Sequence, residues 1–224
     1  MAFAAMLSVG VVSCDKENNE NENQNENVVG WVDLGLPSGL LWAECNLGAN
    51  APEEYGNYYA WGETEPKESY NNDNYKYGTY DGNSELLTLT KYNTDSEYGP
   101  TDNLTILQAM DDAATAALAG GARTPTKEEW EELINNTTSE WTTVNGVKGN
   151  KLTAANGNSI FLPAAGLKVN SMLVCDGSGG FYWTSSLDTE KVGDAFYGAT
   201  SSSRLYIHID CRYGGHTVRA VRQN

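Results

Sequence analysis

The sequence is poor in the basic residues that bind phosphate groups. It contains 14 Lys and Arg against 30 Asp and Glu, which gives a formal net charge of −16. Nucleic acids and anionic lipid surfaces are bound by clustered Lys and Arg, so this balance argues against both as partners. We therefore predict an acidic, soluble domain with no nucleic-acid partner.

Cysteine is also scarce, and its spacing excludes the common metal sites. The chain has four cysteines, and none forms a CxxC pair or another metal-ligand spacing. We accordingly expect no metal and no cofactor. Of the three cysteines that follow Cys14, Cys175 and Cys211 are the pair we expect to form a disulfide outside the cytoplasm. Three small buried thiols, Cys45 included, would account for the sequence equally well.

Asparagine is absent from Ser171 to Gln223, although the preceding part of the chain contains 22. Lys, Glu, Met, Gln and Trp are also missing between Val192 and Arg222. Every residue of that segment belongs to the set that an AAY asparagine codon yields when its adenines are randomised. The pattern suggests the hypothesis that codons of this segment have been varied at their adenines. Ordinary drift, or a fixed ligand that requires no amides, would leave the same composition.

The first 14 residues have the features of an export signal. The apolar run Ala2–Val12 is too short to span a bilayer and is followed by Ser13 and Cys14. This ending resembles a bacterial lipobox, although no Lys or Arg precedes the run. The resemblance implies that residues 1–14 are a signal peptide and lipobox and that Cys14 is lipidated. An apolar N-terminus that is buried or frayed is the alternative.

Residues 15–27 consist almost wholly of Asn and Glu and contain no residue suited to a core. Such a segment is predicted to be a disordered acidic tether. Acidic residues directly after a lipidated Cys, here Asp15 and Glu17, resemble the signal that sends lipoproteins of Bacteroides-like bacteria to the cell surface. We therefore expect an outer-membrane lipoprotein, attached to the membrane by its lipid alone.

Residues 28–224 are predicted to form one domain of short strands and long loops. Helical periodicity appears at Leu104–Leu118 and again from Thr126, where Thr126 and Glu129 form a capping box. The acidic side chains of this second helix are expected to be a solvated face. The long connection Gly62–Asp102 is expected to be functional or ordered by its own side chains. The predicted strands are Val32–Leu34, Leu40–Cys45, Tyr58–Ala60, Ile160–Pro163, Gly180–Thr184, Asp194–Ala199, Leu205–Ile209 and Thr217–Val221.

Several segments, in this order, carry a family resemblance. They are Val32–Leu40, Trp42–Ala43, Tyr55–Glu63, Arg123–Trp130, Asn158–Gly166, Tyr182–Ser186 and Val218–Arg222. Together they closely resemble the Fibrobacter succinogenes major paralogous domain, over nearly all of residues 30 to 222. That family is similar to the formylglycine-generating enzymes. The resemblance implies an α+β, C-type-lectin-like fold: a small twisted antiparallel sheet, two helices and long loops.

The resemblance also bears on activity. Formylglycine-generating enzymes use two nearby cysteines in the late region, whereas this chain has only Cys211 there. A calcium-dependent lectin would carry a Glu-Pro-Asn type motif, but the nearest match ends in Lys67, which cannot ligate calcium. We therefore expect a binding protein that is not an enzyme. The alternatives are an oxidase of the formylglycine-generating type and a structural or pilus-associated surface protein.

The late strands and loops are the predicted binding surface, by the same resemblance. In Leu205–Ile209 apolar residues alternate with Tyr206 and His208, so one face is expected to be core and the other presented. Tyr, Ser, Gly, Arg and His together are typical of a paratope. The candidate ligand-binding residues are Asp194, Phe196, Tyr197, Arg204, Tyr206, His208, Asp210, Arg212, Tyr213 and His216. We expect a monomer that binds an unknown protein or glycan.

Other side chains of this region have plainer interpretations. A solvent-exposed strand residue is the expected role of His208, in preference to catalysis. Arg219 and Arg222 are expected to be structural, and Tyr182 and Trp183 to be core aromatics. C-type-lectin-like domains are the usual hosts of diversity-generating retroelements, which copy a template with changes at adenines. With the missing asparagines, the resemblance therefore predicts a variable protein of such an element.

Overall fold

The computed structural model of the chain describes residues 30–80 and 87–224. The expected signal segment 1–14 with its lipidated Cys14, and the expected tether 15–27, lie outside the described residues. Among those described, no helix has the length and apolar character to cross a membrane.

The described residues form an α+β domain of small antiparallel sheets with two α-helices. The helices are α1, Ala113–Ala117, and α2, Lys127–Asn136. The described strands are β1 Trp31–Asp33, β2 Leu41–Ala43, β3 Gly78–Tyr80, β4 Leu87–Leu89, β5 Thr137–Val144, β6 Val147–Ala154, β7 Ser159–Pro163, β8 Leu167–Val169, β9 Met172–Val174, β10 Gly179–Leu187, β11 Asp194–Ser201, β12 Leu205–Cys211 and β13 Val221–Arg222.

Helix α2 begins where the sequence predicts. The Thr126 hydroxyl accepts a hydrogen bond from the Glu129 N–H, and the Glu129 carboxylate accepts one from the Thr126 N–H. Glu129 also binds both terminal nitrogens of Arg123, at 2.7 and 2.6 Å. Trp130 and Leu133 are buried on the inner face. The capping box therefore fixes both the start of the helix and its orientation on the core.

The predicted helix Leu104–Leu118 is wrong over its first part, because helical structure begins only with a 3-10 turn at Ala109–Asp111 and continues in α1. The Leu107 N–H donates to the Ser185 carbonyl and the Leu187 N–H to the Thr105 carbonyl, at 2.9 and 2.8 Å. These bonds hold residues 105–107 extended against β10. Tertiary pairing thus overrides local helical propensity at residues 105–107. The 3-10 turn follows, and the Asp112 carboxylate then caps α1.

The strands form three three-stranded sheets and two hairpins. Their orders are β1-β2-β13, β5-β6-β7 and β10-β11-β12, with the hairpins β3-β4 and β8-β9. The first and last described strands thus lie in one sheet. The predicted strand Tyr58–Ala60 is wrong, because only Tyr59 forms a bridge, to His216. The predicted strand Thr217–Val221 is limited to its final residue and Arg222.

The hairpin of β5 and β6 has no counterpart in the sequence prediction. Its two-residue turn is Asn145–Gly146, with φ of 47° and 87°. An Asn-Gly pair with both φ values positive is the turn that matches the twist of two antiparallel strands. The signal was therefore present in the sequence, directly after the Thr-rich segment Thr137–Val144.

Two buried clusters lie on the two sides of the sheet β10-β11-β12. One contains Trp130 and Leu133 of α2 with Trp42 and Tyr182. The other contains Trp61, Trp183 and Tyr197 together with most of the buried tyrosines. Gly198 of β11 is what allows α2 to lie close, because a Cβ there would be only 2.6 Å from the Trp130 ring. The late strands are consequently covered by core on both faces along part of their length.

The long connection from Gly62 is ordered by its own side chains where the structure describes it. Tyr75, Tyr77 and Tyr92 are buried. The Asp111 carboxylate accepts hydrogen bonds from the hydroxyls of Tyr77 and Tyr92 and from the Lys91 ammonium. Burial alone would raise the pKa of Asp111, but these donors lower it to about 2. Asp111 is thus an ionised anchor for the loop.

Candidate functional site

The sheet β10-β11-β12 divides the predicted binding residues between two faces. In the register of β11 and β12, Tyr197 is opposite His208, Ala199 opposite Tyr206 and Ala195 opposite Asp210. Because side chains alternate along a strand, these residues share one face. Asp194 and Phe196 occupy the other, where the Lys127 ammonium lies 4.4 Å from the centre of the Phe196 ring. The predicted set is therefore not one continuous patch.

The predicted alternation of β12 is present in the structure. Leu205 and Ile207 pack against the cluster that contains α2, whereas Tyr206 packs against the edge of the other cluster. His208 is exposed and Tyr206 is half-buried. One face of β12 thus packs against the cluster that contains α2, and the other face, partly covered at Tyr206, presents His208 to solvent.

Arg212 is a correction to the predicted site, because its side chain is fully buried. Its guanidinium donates to the Tyr75 hydroxyl at 2.9 Å and to the carbonyls of Lys91, Tyr92 and Val192 at 2.9 to 3.1 Å. All of these partners lie in other segments of the chain. Arg212 therefore ties the long connection to β12 and is not available to a ligand.

His216 is a second correction, since it is also fully buried. Its ring stacks on Trp183 at a centroid distance of 3.9 Å and an interplanar angle of 7°. The Nε2 atom lies 2.9 Å from the Asp210 carboxylate, so this nitrogen carries the proton and donates. Burial lowers the pKa of His216, although Asp210 opposes the shift. A neutral imidazole is therefore part of the core.

Two further predicted residues are largely occupied by internal contacts. Tyr197 is buried against Trp183 and His216. Asp210 accepts hydrogen bonds from His216 and from the Cys211 N–H. Burial would raise the pKa of Asp210, but the bond from His216 lowers it overall. These side chains support the sheet from within.

The accessible remainder is a row of three side chains on β12 and the residue before it, Arg204, Tyr206 and His208, which we name the β12 strip. The Arg204 guanidinium lies 4.3 Å from the centre of the Tyr206 ring. The His208 ring meets the Tyr206 ring edge-on, with centroids 6.3 Å apart. Tyr213, half-buried, lies beyond the end of β12. A cation and two aromatic rings thus form one continuous surface.

The expected disulfide is wrong, because the described cysteines, Cys45, Cys175 and Cys211, are all free. Cys211 follows Asp210 on β12 and is paired with Asp194, so its side chain belongs to the opposite face of the sheet from Tyr197. Cys175 is exposed in the turn after β9. Burial raises the pKa of the Cys211 thiol. It is therefore a protonated thiol at neutral pH.

A groove that the sequence did not predict lies at the Arg204 end of the strip. It has a volume of about 240 Å³ and is formed by the hairpin β5-β6 and the turn between β11 and β12. Its lining includes Trp141 and Asn150, which were not among the predicted site residues. The Asn-Gly turn was the one signal for the hairpin that carries them. Nothing local in the sequence shows that this hairpin faces Arg204.

Comparisons with known proteins give no relative. No protein-family model, curated protein or solved structure matches the chain.

Proposed function

We propose that this chain is a surface-displayed lipoprotein whose C-type-lectin-like domain binds a ligand through the β12 strip. The observation that carries the proposal is that the side chains of β12 are divided between two faces of the strand. Leu205 and Ile207 pack against the cluster that contains α2, while Arg204 and His208 are exposed and Tyr206 between them is half-buried. Arg and Tyr are the residues that most often dominate binding energy, and Tyr supplies contact area at low entropic cost.

The composition of the segment supports a varied surface in this proposal. All three strip residues belong to the set that randomised asparagine codons encode, and asparagine itself is absent there. This composition is expected of a domain that resembles the Fibrobacter succinogenes major paralogous domain and serves as the variable protein of a diversity-generating retroelement. In that case Arg212 and His216, which are buried, come from an unvaried part of the template.

The ligand is a protein or a glycan in this proposal, and the test is a matched pair of triple variants. The first replaces Arg204, Tyr206 and His208 with Ala. The control replaces Thr138, Glu140 and Lys151, which are exposed on the hairpin β5-β6. Both are applied to an array of defined glycans and to a panel of purified extracellular proteins, beside the wild type.

We expect the strip variant to lose by about 100-fold or more any affinity that the wild type shows, since two or three anchors usually dominate an interface. The control should bind like the wild type, and both variants should stay folded by circular dichroism. Undiminished binding by the strip variant would show that the β12 strip is not the binding site. A reverse-transcriptase gene beside a near-copy of the coding segment 194–222, differing only at adenines, would establish the origin of the variation.

The structural or pilus-associated alternative has one observation in its favour. The hairpin β8-β9 exposes Val169, Met172 and Leu173 at its tip. Large exposed apolar side chains grouped together are typical of protein contacts. Sedimentation of the wild type and of a Met172→Ser, Leu173→Ser variant separates the cases. Assembly that is lost in the variant supports the alternative, and a monomer throughout removes it.

A further inference from the structure

The groove at the Arg204 end of the β12 strip has two walls that are tied together. Asn150 of β6 is 2 % exposed. Its amide nitrogen donates to the Thr200 hydroxyl and to the Ser201 carbonyl, the latter at 2.9 Å. Its amide oxygen accepts from the Ser139 hydroxyl at 2.6 Å. Since a buried amide with partners on β5 and β11 fixes the separation of the walls, the groove is a built feature of the domain.

Two side-chain donors in this groove make no hydrogen bond to another described residue. The hydrogen bonds of Arg204 to other described residues involve only its backbone, and its guanidinium rests on the Tyr206 ring. Trp141 lines the groove, and within the described residues its indole N–H makes no hydrogen bond. A guanidinium that is oriented by an aromatic ring, and whose N–H groups bind no residue in the described part of the chain, matches a carboxylate in a planar, bidentate pair.

The charge of the groove contrasts with that of the chain. The formal net charge of the chain is −16, yet the residues that line the groove include one charged side chain, Arg204, and no acidic one. Ser202 and its serine neighbours add hydroxyl groups at the rim. A ligand is therefore favoured if it offers hydrogen-bond acceptors and one negative charge.

We propose that this groove binds a single sugar ring that carries a carboxylate, as a uronic acid does. The indole of Trp141 supplies an apolar face with a polar edge for the ring, and Arg204 pairs with the carboxylate. The volume of about 240 Å³ is below the range of about 300–1,000 Å³ typical of drug-sized ligands, which suits one ring. An extended acidic peptide would instead depend on main-chain pairing at a sheet edge.

This inference shares Arg204 with the proposed function and makes the ligand class at that end of the strip specific. It requires neither His208 nor the retroelement origin. A His208→Ala variant therefore distinguishes the proposed function from this inference, because it weakens binding to the β12 strip and leaves the groove unchanged.

The experiment follows the 19F NMR signal of Trp141 in the full chain labelled with 5-fluorotryptophan, with the resonance assigned from Trp141→Phe. Three probes are titrated: methyl β-D-glucuronide, methyl β-D-glucoside and a capped Glu-Glu dipeptide. The variants are Arg204→Gln and, as a matched control that removes an exposed cation elsewhere, Lys151→Gln.

We expect the glucuronide to shift the Trp141 signal with a Kd at least about tenfold lower than that of the glucoside, as a charged hydrogen-bonded pair provides. Arg204→Gln should abolish that difference, while Lys151→Gln and His208→Ala should preserve it. The inference is overturned by a glucuronide that leaves the signal in place, by equal binding of the two glycosides, by an unaffected Arg204→Gln, or by tighter binding of the dipeptide.

Discussion

At the scale of single residues, the charged side chains of the late region are chiefly internal braces. Arg219 is fully buried and donates to the Asn46 amide oxygen and to the carbonyls of Ala43, Glu44 and Phe161. Its predicted structural role is confirmed, whereas the predicted binding role of Arg212 is wrong. The two arginines cannot be told apart by residue type, since their partners are brought to them only by long-range packing.

Asp111 gives the first prediction at this scale, which concerns pH. Burial acts to raise its pKa, yet the donors Lys91, Tyr77 and Tyr92 lower it to about 2, from an ordinary value of 3.8. A carboxyl group with a lowered folded-state pKa stabilises the fold above its unfolded pKa and loses that contribution as the pH falls through the folded value. Asp111 should therefore stabilise the domain fully at pH 7 and progressively less from about pH 4 to pH 2.

The measurement is urea unfolding of Asp111→Asn at pH 7 and at pH 2.5. Removing the buried carboxylate leaves Lys91 without its partner, so we expect a loss of about 3 kcal/mol at pH 7. The difference from the wild type should shrink at pH 2.5. The exposed Asp176→Asn serves as control and should match the wild type. An Asp111→Asn variant with wild-type stability at pH 7 would show that the anchor is unimportant.

At the scale of elements, short-range signals predicted more than periodicity did. The capping box at Thr126 predicted the start of α2, and the alternation in Leu205–Ile209 predicted the two faces of β12. The Asn145–Gly146 turn could have given the hairpin β5-β6. By contrast, Leu104–Leu118 has helical periodicity, but residues 105–107 near its start are held extended by bonds to β10. Capping and turn residues can be recognised from adjacent positions, whereas the pairing of strands about 80 residues apart cannot.

Gly198 provides the prediction at this scale. A Cβ at this position of β11 would lie 2.6 Å from the Trp130 ring, so Gly198→Ala must push α2 away from the sheet. We expect a loss of about 2 kcal/mol, since overpacking a core usually costs about 1–3 kcal/mol. Gly193→Ala is the matched control, because nothing lies within 4 Å of its added methyl group. Equal unfolding temperatures of the two variants would contradict the role assigned to Gly198.

At the scale of the whole molecule, the domain consists of small sheets joined by buried polar braces. Short strands, long loops and two helical segments were predictable from composition, turn residues and periodicity, while the α+β class was implied by the family resemblance. The position of the accessible surface was only partly predictable. Asp194, Phe196 and the strip all belong to late strands, but which side of the sheet each occupies depends on where α2 and the long connection pack.

The central claim is that the late region combines an accessible strip with an inaccessible scaffold. In the most direct measurement, positions 204, 206, 208, 212 and 216 are each replaced in turn by all residues that randomised AAY codons encode. The variant domains are displayed, and the resistance of each to protease is scored. We expect Arg204 and His208 to accept almost every replacement with little loss of stability, as is usual for accessible positions, and the half-buried Tyr206 to accept most of them. Arg212 and His216 should accept almost none, because their removal leaves buried groups unpaired. Equal tolerance at the five positions, or the reverse order, would contradict the account.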